Sequence, residues 1–303
     1  MTPLNLGLDL GGTNIKWAVI DERNDEVAQG STDTNAEGGP DVVIERLIET
    51  GREAIAQAGQ IATVGLGVPG RYDGRRGEVL MLTNLPGDWH GVPAGSRLSE
   101  ALSAPTQIIN DARAFCLAEA TLGAGRGVAT MVGVTLGTGI GGGTVLNGRV
   151  HFGSDGSAGE IGHQIVAAGP QALLCNCGNY GCLETLAKAD ALEKASGCET
   201  VDDAFDGAAG GDARAQQAID EWIGWLAIGL ANVVSTLTPD RIVVGGGVAR
   251  AGDALFVPLR AELRKRIKYT DPEHVEVVPA ELGSTAGAVG AALHGRGSDP
   301  AEV

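Results

Sequence analysis

The chain of 303 residues is 43% hydrophobic with a mean hydropathy of +0.06, which supports a sizeable globular core divided into two lobes and excludes a disordered or fibrous protein. Its formal charge of -16 and sequence pI near 4.7 argue against a general electrostatic attraction to nucleic acid or to an anionic membrane. The N-terminus runs almost directly into LNLGLDL without the segments of a secretory signal, and the longest apolar run, Trp222 to Leu237, falls short of the roughly 18 residues of a spanning helix. A cytoplasmic protein with no membrane segment is expected.

Residues 4–10 and 14–20 have the apolar patterning of strands joined by Gly11-Gly12-Thr13, and EVAQGST supplies a third strand. Ile44, Leu47, Ile48 and Ile55 mark one face of a helix from about Pro40 to Ala58, followed by IATVGLGV as a buried strand. TQIIN is a further strand that ends at Asn110-Asp111 and passes into the helix ARAFCLAEATL. The second half repeats the plan. ATMVGVTL, the turn Gly137-Thr138-Gly139 and GGGTVLNGRV parallel LDLGGTNIKWAVI, and Asn147-Gly148 is a hairpin signal. Helices are then expected from about Leu183 to Ala195 and from about Asp212 to Leu237, followed by the strand RIVV, the turn Gly245-Gly246-Gly247 and a helix from Ala251 to Lys268. The internal resemblance implies a duplication, with both glycine turns at the floor of one cleft.

The segment from Gly156 to Glu184 gathers His163, Cys175, Cys177 and Cys182, a Cys3His donor set of the kind tetrahedral zinc prefers, with Gly178 and Gly181 permitting tight turns. A zinc held by four protein ligands has no open position and is structural. Cys116 and Cys198 read as ordinary thiols, and five cysteines, three of them in metal-ligand spacing, point to a reducing compartment rather than a disulfide framework. Glu160 and Glu184 flank the cluster, where carboxylates held rigidly suit vicinal sugar hydroxyls.

A strand-Gly-Gly-Thr-strand turn exposes backbone N–H groups with no side-chain bulk, and two matched turns plus a third glycine run favour phosphate binding over ordinary hairpins. No Walker-type G-x-x-x-x-G-K-[ST] is present, and the two G-x-G-x-x-G matches, at Gly65–Gly70 and Gly137–Gly142, do not open helices, which disfavours a dinucleotide fold. Asp9 ends the first strand beside its glycine turn, where it would repel a phosphate unless Mg2+ lay between them. Asp111, at a strand-to-helix boundary, has the position of an N-cap and, if that edge opens on the cleft, of a general base for a substrate hydroxyl. Asn110, Asn84 and Gly67 occupy neighbouring loop or strand-end positions.

DLGGTNIK (9–16), GLGVPG (65–70), NDA (110–112), LGTGIGGG (136–143), GSAGEIGH (156–163), CNCGNYGCLE (175–184), VVGGGV (243–248) and STAGAVGAA (284–292) together resemble the ROK family of sugar kinases, in the family's order over nearly the whole chain. Within the family the closest likeness is to the bacterial ATP-dependent glucokinases. The resemblance implies an α/β, actin-like (sugar kinase/Hsp70) fold with two RNase H-like lobes and a cleft between them. The smaller lobe would comprise 1–112 and a C-terminal helix of about 287–303, and the larger one, 113–286, would carry the zinc site. It implies ATP-dependent phosphorylation of glucose at the 6-hydroxyl with Asp111 as general base. Glucose contacts would fall on Asn84, Asn110, Asp111, Glu160, His163 and Glu184, with Gly67 as lining. Gly11, Gly12, Thr13, Gly137, Thr138 and Gly139 would surround the phosphates, Gly245, Gly246 and Gly247 the adenosine, and Asp9 would lie near Mg2+. His163 would bind Zn2+ through one ring nitrogen and offer the other to the sugar. A homodimer or homotetramer is also implied. Many relatives have a second Asn where this chain has Arg113, which is expected to be a surface or hinge ion-pair residue.

Three alternatives remain. The first is a kinase for another hexose or N-acetylhexosamine, such as N-acetylglucosamine, mannose or fructose. The second is a sugar-sensing repressor, disfavoured because the first glycine motif begins at residue 9, with no helix-turn-helix ahead of it, and because the chain is acidic. The third is a polyphosphate-dependent enzyme, ranked below ATP because such enzymes generally lack this cysteine signature.

Overall fold

A computed structural model describes residues 3–82 and 84–297. Strands β1 (Leu4–Leu10), β2 (Asn14–Ile20) and β3 (Glu26–Asp33) open the chain. Then come α1 (Gly39–Ala58), β4 (Ile61–Val68), β5 (Gly70–Asp73), β6 (Glu78–Leu82), α2 (Ala94–Leu102), β7 (Thr106–Asn110) and α3 (Asp111–Leu122). The strand pattern restarts with β8 (Thr130–Leu136), β9 (Ile140–Leu146) and β10 (Arg149–Val150). Helices α4 (Leu183–Ala187), α5 (Ala189–Ser196), α6 (Val201–Ala209) and α7 (Ala213–Leu237) follow, and the chain continues with β11 (Arg241–Gly245), α8 (Asp253–Arg266), β12 (Glu276–Pro279) and α9 (Ala286–Arg296).

These elements form two compact units. The first takes the chain up to Gly123, Gly148–Ala158 and the segment from Leu282; the second takes Ala124–Asn147 and Gly159–Glu281. In the first, the sheet order is β3-β2-β1-β4-β7, with β1 antiparallel to β2 and parallel to β4, and β4 parallel to β7. The strand periodicity decides what lies on each face. Leu6, Leu8, Val64 and Leu66 join Val43, Ile44 and Leu47 of α1 in one core. Each such side chain contributes roughly 1.5–3 kcal/mol when fully removed from water. Alternate positions Gly7 and Gly65 carry no side chain because α9 lies directly on them. A Cβ on Gly7 would overlap the Ala288 carbonyl oxygen, and one on Gly65 the Ala291 carbonyl oxygen.

Within the second unit the order is β9-β8-β11-β12, and the directions repeat those of β2-β1-β4-β7: antiparallel, parallel, parallel. Val132, Val134, Ile242 and Val244 pack with Trp222, Leu226 and Leu230 of α7 and Phe256 and Leu259 of α8. The duplication expected from the paired glycine motifs is therefore present in the hydrogen-bonded ladders. Among the described residues, no helix is long and apolar enough to cross a membrane.

Several details depart from the sequence reading. The unit boundary falls at Gly123 rather than at 112, because α3 packs on α9: a Cβ at Gly290 would overlap the Ala114 carbonyl oxygen, so the two helices touch backbone to backbone. The single helix expected from Leu183 to Ala195 is two, broken at Lys188, whose backbone is extended (φ -79, ψ 168). Nothing in that sequence forbids helix. The break is tertiary, with the Lys188 carbonyl accepting from Trp222 Nε1 at 3.0 Å. Helix α8 starts at Asp253, after a 3-10 turn over Gly247–Ala251, and the part of the expected C-terminal helix beyond residue 297 lies outside the described residues. The elements β5, β6, α2, α6 and β12 were not expected from the sequence.

The α9 contact yields a stability prediction. Gly65→Val adds methyl groups where a carbonyl oxygen already sits, so it should destabilise the first unit by about 3 kcal/mol or more, read as a shifted urea midpoint.

Candidate active site

In the first unit, three parallel strands end side by side. Register pairs Asp9 with Gly67, and Val68 with Asn110, so the edge of β1, β4 and β7 presents Asp9, Gly67, Asn110 and Asp111 in a row. Ligands of open α/β sheets bind at such carboxyl ends. A Cβ on Gly67 would stand 3.2 Å from Asp9 Oδ1, and one on Gly287, at the start of α9, would collide with Asp9 Oδ2. The two glycines therefore make the recess that holds this carboxylate.

Burial and the neighbouring Asp111 carboxylate raise the Asp9 pKa from 3.8 to about 7, with Lys16, its register partner on β2, working the other way. An acid held this close to a second carboxylate favours a cation beside it, and Asp9 fits a residue that would hold Mg2+.

The N-cap of α3 is Asn110, not Asp111. Asn110 is 8% exposed, and its Oδ1 accepts from the backbone N–H groups of Ala112 (3.1 Å) and Arg113 (3.2 Å), while its amide donates to the Val68 and Gly70 carbonyls, both at 3.4 Å. The cap satisfies orphan donors of the first turn and sets Asp111 at the first helical position, where Oδ1 accepts from Ala112 N at 2.8 Å. Asn110 thus orients the carboxylate beside it.

Gly11, Gly12 and Thr13 form the turn between β1 and β2, closed by Gly11 N donating to Asn14 O at 3.0 Å. Fully buried Thr34 occupies two of its carbonyls: its hydroxyl donates to Gly11 O at 2.7 Å and its backbone N–H to Thr13 O at 2.8 Å. A Cβ on Gly12 would sit 3.2 Å from the carbonyl oxygen of exposed Asn84, which brings that loop to the same turn.

The second unit builds its half of the candidate residues on β8, β9 and β11. Gly137, Thr138 and Gly139 turn from β8 into β9. Gly245, Gly246 and Gly247 follow β11, where Gly246 has φ 87 and no room for a Cβ against the Leu136 carbonyl at the end of β8. The two glycine turns are thus neighbours. Glycines also let the Gly159–Gly162 segment lie on β9: a Cβ on Gly142 would come within 2.6 Å of Ile161, and one on Gly159 within 2.8 Å of Gly143. This places exposed Glu160 and half-buried His163 over the start of β9.

His163, Cys175, Cys177 and Cys182 bring their ligand atoms within 4.8 Å of one another. His163 Nδ1 lies 3.6 Å from Cys175 Sγ, and Cys177 Sγ lies 3.6 Å from Cys182 Sγ. Thiolates sharing one tetrahedral zinc stand about 3.8 Å apart, so the donor set fits that ion. Burial and the adjacent thiols push the Cys182 pKa up to about 12 and raise that of Cys175, while backbone hydrogen bonding lowers that of Cys177. Cys175 and Cys182 thus resist ionisation without a cation, and Zn2+ would remove that penalty. Because His163 turns Nδ1 towards the cysteines, Nε2 is the nitrogen left for a ligand. Leu183 N donates to Gln164 O at 2.8 Å, tying the His163 segment to α4, which carries Glu184.

Arg113 overturns the surface expectation. It is 2% exposed, and its Nε donates to the Ala158 carbonyl at 2.9 Å, fastening the start of α3 to the segment just before Glu160. Neither Arg113 nor Thr34 carries a sequence signal for these roles, since each is a single polar residue whose partner lies far along the chain. Gly287 had a partial signal in the small-residue run STAGAVGAA.

The repeated ladder, with a glycine turn after the first strand of each unit, is the actin-like fold. The sequence matches the ROK family over residues 5–296, and the chain belongs to that family. It is 37% identical to a glucokinase of Thermotoga maritima, with 95% of each chain covered. Among solved structures it resembles a ROK hexokinase from Thermus thermophilus (TM-score 0.87, 35% identity, 97% of this chain and 98% of that one). It also resembles a ROK family glucokinase from Streptomyces griseus in complex with glucose and AMPPNP (TM-score 0.82, 30% identity, 97% and 100% covered).

Two outcomes follow. The folded state holds the Asp9 proton until about pH 7 while the unfolded chain releases it near 3.8, so stability falls as pH rises between those values and the full cost is present above the folded value. Asp9→Asn should therefore be more stable than wild type at pH 8 in magnesium-free buffer by roughly 2 kcal/mol, a figure discounted for partial exposure, with the difference closing towards pH 4. Purified protein should carry one zinc per chain by elemental analysis, and Cys177→Ser should lose it and melt earlier; full zinc content in that variant would rule out the four-residue site.

Proposed function

We propose that this protein transfers the γ-phosphoryl group of ATP to the 6-hydroxyl of glucose, giving glucose 6-phosphate. The observation that carries this reading is the juxtaposition of Asp111, placed by its Asn110 cap, with Asp9 and the Gly11–Thr13 turn on one sheet edge. A base for a hydroxyl, a carboxylate suited to a cation and a cradle for phosphate are the parts a phosphoryl transfer needs, because its catalysis is mostly positioning and charge stabilisation. Family membership and the similarity to a glucokinase support glucose as acceptor and ATP as donor.

In this reading Asp111 accepts the proton as the 6-hydroxyl attacks. Glu160, His163 through Nε2, Glu184, Asn84 and Asn110 orient the sugar, with Gly67 lining the site. Carboxylates that pair with hydroxyls discriminate strongly, since an analogue lacking one leaves them unpaired. Gly11, Gly12, Thr13, Gly137, Thr138 and Gly139 surround the phosphates, and Gly245, Gly246 and Gly247 the adenosine. Asp9 would hold Mg2+, which neutralises phosphate charge when bound. The Cys3His set leaves a zinc no open position, so His163 and the loop around it gain rigidity rather than reactivity. We place the reaction in the cytoplasm, consistent with three closely packed thiols that function reduced.

The test is a coupled assay of purified protein with ATP against glucose, mannose, fructose and N-acetylglucosamine. Glucose should have the highest kcat/KM; comparable turnover of the others with glucose poor would change the acceptor but keep the reaction class. Asp111→Ala should lower kcat roughly 10²- to 10⁴-fold while glucose binding stays measurable by calorimetry. Near-normal turnover would reject Asp111 as the base.

A further inference from the structure

Glu184 stands on α4, a helix of five residues that is anchored at every side. Cys182, fully buried in the Cys3His set, is its N-cap residue, and Leu183 N is held by Gln164 O. Leu183 is fully buried against α7, so tightly that a Cβ on Gly229 would stand only 2.4 Å from its side chain. From this platform the carboxylate points at the second glycine turn: Glu184 Oε2 accepts the backbone N–H of Ile140 at 2.9 Å. A Cβ on Gly139 would come within 2.7 Å of the same oxygen, so glycine is required there for the contact to form. The turn is held a second time, on its other side, by Ala189 N donating to Gly137 O at 2.9 Å. That second contact exists because the helix breaks at Lys188, freeing the Ala189 N–H to point at the turn.

We infer that Glu184 is a positioning residue for the Gly137–Gly139 phosphate turn as well as a sugar contact, so that one carboxylate links recognition of the acceptor to placement of the donor. The inference rests on the kinase reading for the identity of the two ligands. The carboxylate divides its work by atom: Oε2 is committed to Ile140, and Oε1 is the oxygen it offers to a hydroxyl. The Ile140 N–H, already paired, is not among the donors that hold phosphate, which narrows that set to the turn itself. The anionic acceptor close to the turn also fixes its orientation, since a charge-assisted hydrogen bond is shorter and stronger than a neutral one.

The test measures binding of the two ligands separately by calorimetry: glucose alone, and a non-hydrolysable ATP analogue with Mg2+ in the absence of sugar. Wild-type protein that bound neither would sink the kinase reading itself. Given wild-type binding of both, Glu184→Ala should weaken the nucleotide about tenfold and glucose by more, whereas Glu184→Gln, which keeps an acceptor oxygen for Ile140, should lose glucose affinity and hold nucleotide affinity within about threefold. Gly139→Ala, which crowds Oε2 off the turn, should weaken the nucleotide alone and cost little further in the Glu184→Ala background, as coupled neighbours do in a double-mutant cycle. Loss of glucose affinity without any nucleotide effect in Glu184→Ala would overturn the inference. Equal nucleotide loss in the Ala and Gln variants, or additive effects of Gly139→Ala and Glu184→Ala, would overturn it as well.

Discussion

Close approach of one element to the backbone of another, through glycine, organises this molecule. Helix α9 lies on β1 and β4 through Gly7 and Gly65 and on α3 through Gly290; the segment carrying Glu160 and His163 lies on β9 through Gly142 and Gly159. A Cβ at Gly7, Gly65 or Gly290 would overlap a carbonyl oxygen, one at Gly142 would stand 2.6 Å from the Ile161 side chain, and one at Gly159 would stand 2.8 Å from the Gly143 Cα. The cost of this architecture is entropic, because glycine loses more conformational freedom on folding than other residues. What it provides is short distance: the Asp9 carboxylate fits into a recess between Gly67 and Gly287, and Glu184 reaches the backbone N–H of Ile140 beside Gly139.

Electrostatics in the first unit works against the fold and in favour of chemistry. Asp9, at the end of β1, and Asp111, at the start of α3 beyond β7, repel one another across the edge of β4, and Lys16 offsets this only in part. The Asn110 cap makes the arrangement stable by spending its own side chain on the first turn of α3. A perturbed acid next to a glycine turn is the kind of local instability that marks functional sites, because the surrounding structure supports what the site alone would not.

The Cys3His segment acts through stiffness. Its four ligand atoms converge without exposing an open position, and its chain contacts run to Gln164, to the N-terminus of α4 and through Glu184 to the Gly137–Gly139 turn. A zinc held by this set would sit two residues from Glu184 and would act on the Gly137–Gly139 turn through that connection rather than by direct contact.

Local residue chemistry was enough to reveal the strand-glycine-strand repeat, the amphipathic face of α1, the Cys3His donor set and the acids at strand ends, since each depends on neighbours a few positions away. The same patterns in DLGGTN, NDA and CNCGNYGCLE were sufficient to resemble the ROK family. Other features were invisible there. The break at Lys188 is imposed by Trp222, 34 positions along the chain. The burial of Arg113 depends on the Ala158 carbonyl, the bracing of the first glycine turn on Thr34, and the recess for Asp9 on Gly287. The transfer of the capping role from Asp111 to Asn110 depends on the exact end of β7, which its pairing with β4 decides. In every such case the partner is distant in sequence, and a hydrogen bond or a steric gap is formed only once the helices and sheet of that unit have packed, so no periodicity or propensity along the chain encodes it.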